Sequence, residues 1–242
     1  MSIKMKAYIK SIVFDFVNSS NGSPYVLFKF LVCHFRSIYY TSKIDAGGGK
    51  ISISSPFIRF KMDKHKSSRL LIVGNLLILP PVYGKRTVSI TMDKNSTFEI
   101  HGDLHVGQGV SFILASDSKL SIGGQDEKSN SEMKSDSMVL VFNKIRIGKH
   151  FFSAHNVLIT DSDMQHHNFK QHHSEIVIGN HVRIENSSSI LKGTIIGENC
   201  ILGSFLKIAD TTFPDNVLID GEPPQIQKNL TPLDQTNNPF IR

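Results

Sequence analysis

The strongest constraint on the fold is a series of aliphatic residues that recurs at every sixth position in the C-terminal half of the chain. No member of this series is polar: Ile178, Ile184, Ile190, Ile196, Leu202 and Ile208. A second series, four residues after each member, is mostly small or β-branched: Val182, Ser188, Thr194, Cys200, Leu206 and Thr212. An amphipathic helix repeats near 3.6 residues and a strand at two, so a period of six fits neither. It fits short strands separated by turns, with each turn of the chain stacked on the one before.

Three features of the sequence resemble the hexapeptide-repeat acyltransferases, and within that family the sugar and polysaccharide O-acetyltransferases. The first is the six-residue register itself. The second is the stretch 196–208 followed by 213–228, which is similar to the last coil and the Gly-x-Pro exit of the family. The third is the stretch 158–167, LITDSDMQHH, which resembles the segment that carries the catalytic base. The resemblance implies a mainly β fold: a left-handed parallel β-helix, preceded by a short N-terminal helical segment.

The chain divides into three parts by composition. Residues 1–45 are predicted to form the N-terminal helical segment, because aromatic residues are dense over 25–40 and the breaker NSSNGSP precedes them. This segment is too short and too charged for a span of about 20 apolar residues. We expect it to cap the column, and contact with the inner face of a membrane is a further role.

The β-helix domain is predicted over residues 46–215, with the exit segment and tail over 216–242. Two polar runs interrupt the domain and predict loop insertions, near 124–137 and near 164–174. In the second region the register breaks, because Ile159 and Ile178 are nineteen positions apart, one more than three repeats of six. A polar loop that leaves the wall at such a break can face a groove, and chemistry is expected there.

Acyl transfer to a sugar hydroxyl requires a base that accepts the hydroxyl proton, and histidine suits this at neutral pH. The resemblance implies a base two residues past the second Asp of an Asp-x-Asp, a position that Gln165 occupies here. We therefore predict His166, one residue later, as the general base, with His167 as the second candidate. Asp161 or Asp163 would orient the imidazole.

The resemblance also implies a groove in which the pantetheine arm of acetyl-CoA lies along small outer residues. Ser188, Gly203 and Ser204 stand where the family has alanine or glycine, and Lys228 is placed to meet a phosphate. His155 is predicted to line the pocket of the saccharide acceptor. A homotrimer is expected, because the groove of the family lies between two columns.

Two histidines, His150 and His155, resemble part of the three-histidine zinc site of γ-class carbonic anhydrases. Leu114 stands where a third ligand would lie, so no metal is expected. The function implied is an acetyl-CoA-dependent O-acetyltransferase that acts on a surface polysaccharide or its precursor. The alternatives are N-acetylation of an amino-sugar nucleotide, a γ-carbonic-anhydrase-like metal enzyme and a non-catalytic scaffold.

Composition narrows the setting of the protein. The net charge of +6 comes without a basic cluster interleaved with aromatic residues, so a nucleic-acid partner is not expected. The two cysteines, Cys33 and Cys200, make no disulfide framework, which predicts a reducing, cytoplasmic setting. Cys200 lies on the second series and is predicted to be a buried thiol.

Overall fold

The structure, a computed structural model, describes residues 24–80, 86–123, 129–162 and 173–229. This part of the chain contains one helix, α1 (Pro24–Thr41), and 23 strands. The strands, in chain order, are β1 (Lys50–Ile53), β2 (Arg59–Lys64), β3 (Arg69–Ile72), β4 (Asn75–Ile78), β5 (Thr87–Met92), β6 (Thr97–Ile100), β7 (Asp103–Val106), β8 (Ser111–Leu114), β9 (Lys119–Ile122), β10 (Asn130–Met133), β11 (Met138–Val141), β12 (Lys144–Ile147), β13 (Phe152–Ser153), β14 (Leu158–Thr160), β15 (Ile176–Ile178), β16 (Arg183–Ile184), β17 (Ser189–Ile190), β18 (Ile195–Ile196), β19 (Ile201–Leu202), β20 (Lys207–Ile208), β21 (Thr212–Phe213), β22 (Val217–Asp220) and β23 (Gln225–Asn229).

Three parallel sheets form the walls of a column, and each coil of the chain adds one strand to each wall. Sheet 1 is β1-β4-β7-β10-β13-β16-β19-β22, sheet 2 is β2-β5-β8-β11-β14-β17-β20, and sheet 3 is β3-β6-β9-β12-β15-β18-β21. The last strand, β23, pairs antiparallel with β22 at the edge of sheet 1. The fold class expected from the sequence, a mainly β, left-handed parallel β-helix after a short helix, is confirmed.

The core of the column is the aliphatic series read from the sequence. None of its six members is more than 2% exposed, because each occupies the inward position of a two- or three-residue strand. Burying a side chain of this size contributes about 1.5–3 kcal/mol. Cys200 of the second series is fully buried, as predicted, and burial raises the pKa of its thiol.

One member of the second series does not face inward. Thr212 is exposed, and its neighbour Phe213 is buried instead. The reason is a shorter last coil: Ile196 is stacked on Phe213, 17 residues later, whereas Ile178 is stacked on Ile196, 18 residues later. The inward side of the chain therefore moves by one residue at this point.

The corners of the column contain residues with left-handed backbone. We name the corner between sheets 1 and 2 the first corner, that between sheets 2 and 3 the second, and that between sheets 3 and 1 the third. Non-glycine residues with positive φ form ladders along them: Asp136, Asn156, Ser187 and Phe205 at the first; Asn95, Asp117 and Asp210 at the second; His150, His181, Asn199 and Asn216 at the third. Asn and Asp adopt this conformation more readily than most residues do, which favours them at these corners.

The break in register is an insertion into one coil. Ile147 and Ile178 are adjacent in sheet 3 although 31 residues separate them, against 18 for Ile178 and Ile196, a difference of 13. The interpretation of the gap before Ile178 as three repeats plus one residue is therefore wrong, because β14 and β15 belong to consecutive walls. The 13 extra residues leave the column at the second corner, and 163–172 of them lie outside the described residues.

The polar run near 124–137, predicted to be a loop, contributes to the wall. Residues 130–133 form β10, in which Ser131 is 2% exposed and Met133 is fully buried. A single apolar side chain faces the core here, so the run has too weak a hydrophobic pattern to predict a strand. At the other end of the column, β22 continues sheet 1 past residue 215, the predicted end of the domain.

The helix α1 lies across the open end of the first coil. Its hydroxyls accept hydrogen bonds from the edge of sheet 1: Thr41 Oγ1 from the Ile51 amide at 3.0 Å, and Ser37 Oγ from the Ile53 amide at 2.9 Å. Two further side chains reach the start of sheet 2, since Arg36 donates to the carbonyls of Pro56 and Ile58 and Tyr40 to that of Phe60. Within the described part of the chain, no helix has the length and apolar character that a membrane span requires.

The three outer faces differ in charge. Sheet 3 carries ion pairs, such as Lys119 with Glu99 at 2.7 Å and Arg146 with Glu175 at 2.7 Å. On sheet 1, the guanidinium of Arg183 lies 4.7 Å from the ring centroid of Phe152. The outward residues of β8, β11, β14 and β17 on sheet 2 carry no charge: Ser111, Ile113, Met138, Leu140, Leu158 and Ser189.

Candidate active site

The insertion at the second corner is anchored by one buried carboxylate. Asp161 is fully buried and accepts three backbone hydrogen bonds from the same corner of the preceding coil. Its Oδ1 accepts from Phe142 at 2.7 Å, and its Oδ2 accepts from Asn143 at 2.8 Å and from Lys144 at 2.6 Å. Bonds of this kind, from amides to a charged acceptor, are stronger than those between neutral groups.

The two ends of the insertion also meet each other. Ser162 and His173 form an antiparallel bridge, and the Ser174 amide donates to the Asp161 carbonyl at 3.0 Å. Directly after them, Glu175 forms ion pairs with Lys144 at 3.2 Å and with Arg146. The segment between therefore starts and ends at fixed points of one corner.

Three of the predicted catalytic residues, Asp163, His166 and His167, lie outside the described residues, and their roles stay predictions. Asp161 is described, and both of its carboxylate oxygens are occupied by backbone amides. Its carboxylate is thus engaged in holding the corner, which leaves Asp163 as the aspartate of this pair with a side chain available to the proposed base.

Four of the predicted binding residues lie along the first corner. His155 is exposed there, in the turn between β13 and β14. Ser188, Gly203 and Ser204 belong to the next two coils of the same corner. The column therefore brings the proposed acceptor and donor residues into one line, parallel to its axis.

Ser188 and Gly203 do not present their side-chain positions to solvent. The Ser188 side chain is fully buried, and its Oγ donates to the Gly203 carbonyl at 2.8 Å. A Cβ on Gly203 would lie 2.4 Å from Oδ1 of Asp220, so glycine is needed here to admit the carboxylate of the next coil. The expectation that these two small residues line the outer wall is not met, and only half-buried Ser204 faces outward among the three.

An aromatic residue that sequence reasoning passed over adjoins Ser204. Phe205 has a φ of 63° and is 79% exposed. Its amide donates to the Asn186 carbonyl at 2.9 Å, as the amide of Ser187 does to His155 one coil earlier. The signal in the sequence is its position, because Phe205 stands two residues after Gly203 and directly before the inward Leu206, where a corner residue is due.

The remaining two predicted positions lie elsewhere. Lys228 is exposed on β23, which closes sheet 1. His150 is at the third corner, away from His155, and its ring stacks on that of His181 with centroids 4.6 Å apart. Burial, then the charge of His150, lowers the pKa of His181. Among the residues that the structure describes, no group of three His, Cys, Asp or Glu side chains is placed to hold a metal ion.

Comparisons with known proteins match part of this architecture. Residues 175–210 match the family described as bacterial transferase hexapeptide (six repeats). No curated protein matches the sequence. Solved structures with a similar course of the chain include a hexapeptide transferase family protein from Anaplasma phagocytophilum, with 13% identity, a TM-score of 0.40, and coverage of 79% of this chain and 86% of that one.

Two further similar structures are acetyltransferases. The polySia specific acetyltransferase NeuO has 17% identity and a TM-score of 0.42, with coverage of 77% of this chain and 79% of that one. The polysialic acid O-acetyltransferase OatWY has 20% identity and a TM-score of 0.32, with coverage of 77% and 89%. Likeness at these scores does not identify a function. The match over residues 175–210 agrees with the strands and the register, and this stretch consists of the hexapeptide repeats of bacterial transferases.

Proposed function

We propose that the protein is an acetyl-CoA-dependent O-acetyltransferase that acts on a sugar hydroxyl of a surface polysaccharide or its precursor. One observation carries the proposal: a 13-residue insertion, whose sequence includes His166 and His167, leaves a column of hexapeptide repeats at an anchored corner. The carboxylate of Asp161 and the bridge between Ser162 and His173 support a fixed origin for this segment.

The reaction is a direct transfer. A neutral imidazole, that of His166 or His167, accepts the proton of the sugar hydroxyl while its oxygen attacks the thioester carbonyl. The tetrahedral intermediate collapses, the carbon–sulfur bond breaks, and the coenzyme A thiolate takes the proton from the imidazolium. Asp163 would hold the imidazole in one tautomer and stabilise its charged form, as carboxylates do beside catalytic histidines. No covalent acyl-enzyme and no metal ion is part of this proposal.

A homotrimer would complete the site. The uncharged face of sheet 2, with exposed Ile113 and Met138, lies between the first corner and the second. The proposed donor residues and the proposed base are thus on opposite sides of one face. If that face packs on a neighbouring column, the base segment of one subunit can approach the first corner of another.

We place the protein in the cytoplasm, with α1 as the part that contacts the inner face of a membrane. The helix has no acidic residue, and Phe28, Phe35 and Tyr39 are exposed on it. Aromatic and basic residues on one helix favour the interface of an anionic bilayer. Sedimentation with vesicles that contain anionic lipid tests this placement, and binding that survives Phe28→Ser together with Phe35→Ser would count against it.

Release of free thiol from acetyl-CoA, followed with a panel of acceptor glycans, tests the proposed function. We expect release with the wild-type protein, and a fall of about 10²–10⁴-fold in either His166→Ala or His167→Ala, with unchanged thermal unfolding. The matched control is His173→Ala, at the foot of the same insertion. Hydroxylamine cleaves an O-acetyl ester but not an amide, so treatment of the product separates O- from N-acetylation. Full activity in the double variant of His166 and His167 would overturn the proposal.

A further inference from the structure

We propose that Phe205 binds the donor, with its ring stacked on the adenine base of coenzyme A. This inference rests on the proposed function, because it adds a contact to the same site. It starts from a corner residue that neither packing nor backbone preference accounts for.

The backbone at Phe205 is in a conformation that bulky residues rarely adopt. Its φ is 63°, in the left-handed region, where a Cβ is disfavoured. The other described residues with positive φ are Asn, Asp, His, Ser or Gly. Outliers of this kind are retained where surrounding structure fixes them, and they concentrate at ligand sites.

The ring of Phe205 is held outward by a rigid frame. The amide of Phe205 bonds to the carbonyl of Asn186, and the next amide, that of Leu206, donates to Ser188 Oγ at 3.2 Å. Leu206 is 4% exposed, so the chain is fixed on the inner side of the corner. The ring itself is 79% exposed and therefore contributes little to the core.

The position along the column matches the nucleotide end of the donor. The insertion follows β14, and Phe205 precedes β20, two strands further along sheet 2. At the usual spacing between strands, this is about 10 Å along the axis. A thioester beside the insertion, with its pantetheine arm along the column, would place the adenosine part at the C-terminal coils.

The surroundings suit a nucleotide more than an apolar partner. Lys207 is exposed on the strand that follows Phe205, beside half-buried Ser189 on the neighbouring strand. Ser204 precedes the ring, and Lys228 is exposed at the same end of the column. A cation for phosphate and an aromatic face for a base are the two elements that nucleotide sites combine.

The test compares two acetyl donors that differ in the adenine nucleotide. Phe205→Gly removes the ring and suits the left-handed backbone, so the protein is expected to unfold at the same or a higher temperature. For acetyl-CoA we expect Kd and KM to rise about five-fold or more, the usual range for loss of a base stack. For S-acetylpantetheine, which lacks the nucleotide, both constants should stay at the wild-type values. Phe205→Tyr should retain the wild-type affinity for acetyl-CoA.

The matched control is Asn216→Gly, at the third corner with a φ of 60°. It should share the effect on unfolding but not the effect on donor binding. The inference is overturned if Phe205→Gly binds acetyl-CoA as the wild type does, or if it weakens both donors equally. It is also overturned if the variant changes only the sedimentation of the protein, which would assign the ring to contact with a second copy. A wild-type protein that releases thiol while Phe205→Gly is unaltered leaves the proposed function standing, whereas a wild type that binds neither donor removes both.

Discussion

The carboxylate of Asp161 accepts a hydrogen bond from the backbone amide of Asn143, 2.8 Å away in the preceding coil. Eighteen residues separate the two in sequence. The contact joins the last residues before the insertion to the coil beneath them, and the side chain that makes it was expected to serve catalysis. It predicts that the two aspartates of this segment differ in kind.

Asp161→Asn should destabilise the fold, because an amide cannot accept all three backbone bonds and directs an N–H group at a donor. We expect a loss of about 2–5 kcal/mol in the free energy of unfolding, measured by urea titration. Asp163→Asn is the paired variant, and it should reduce the rate of thiol release with little effect on unfolding. Equal stability in the two variants would contradict the assignment.

The hexapeptide register predicts a sharp contrast between neighbouring isoleucines. Ile190 is fully buried, and Ile190→Ala should cost about 2–5 kcal/mol, as aliphatic truncations in a core do. Ile195 is 43% exposed, and Ile195→Ala should cost less than about 1 kcal/mol. Both values follow from urea unfolding monitored by circular dichroism. A similar loss in both would mean that the outer face of β18 is covered in the assembled protein.

The face of sheet 2 is expected to carry the contact between subunits. Met138→Glu places a charge in the middle of its uncharged surface and should shift sedimentation from trimer toward monomer, with loss of thiol release. The control is Thr97→Glu on sheet 3, where the new carboxylate would lie between Arg69 and Lys119. A wild-type protein that sediments as a monomer, or a Met138→Glu variant that remains a trimer, would contradict this prediction.

The histidine pair at the third corner predicts a dependence of stability on pH. Because burial and the charge of His150 lower the pKa of His181, the unfolded chain binds a proton at this site more readily than the folded chain. Stability from this site is therefore present above the unfolded pKa, near 6.5, and is lost as the pH falls through that region. Glu198 opposes the shift and Lys149 adds to it, both more weakly than burial.

The variant that checks this is His181→Asn, since asparagine tolerates the left-handed backbone and continues the ladder of Asn199 and Asn216. Urea unfolding at pH 7.5 and at pH 5.5 should show a smaller loss of stability in the variant than in the wild type. Identical losses would show that the proton is taken up elsewhere.

The parts of the fold that follow from sequence are those in which one side chain decides the direction of the chain. Ile184 and Leu202 repeat the inward position of successive coils, and a period of six is compatible with few folds besides a β-helix. The count failed at the insertion, because nineteen residues between Ile159 and Ile178 are compatible with three repeats or with one. Only the pairing of Ile147 with Ile178 distinguishes them, and pairing between coils leaves no local pattern.

The candidate site was predictable in place but not in the orientation of its side chains. Ser188 and Gly203 are small for reasons of the interior: one bonds to the next coil, and the other admits Asp220. Small residues have the same sequence signature whether a ligand or the protein itself fills the space. Phe205 could not be singled out, because an aromatic residue in a solenoid sequence predicts core, and its left-handed backbone is visible only in the structure.

The hydroxyls of Ser37 and Thr41 have a consequence for how these molecules coexist at high concentration. A parallel stack that ended in free amides would be a template on which another copy could continue, head to tail, into a fibre. Because the helix occupies the amides of Ile51 and Ile53, the first rung has no donors there to offer. Polymerisation is thereby terminated at this end by two side chains.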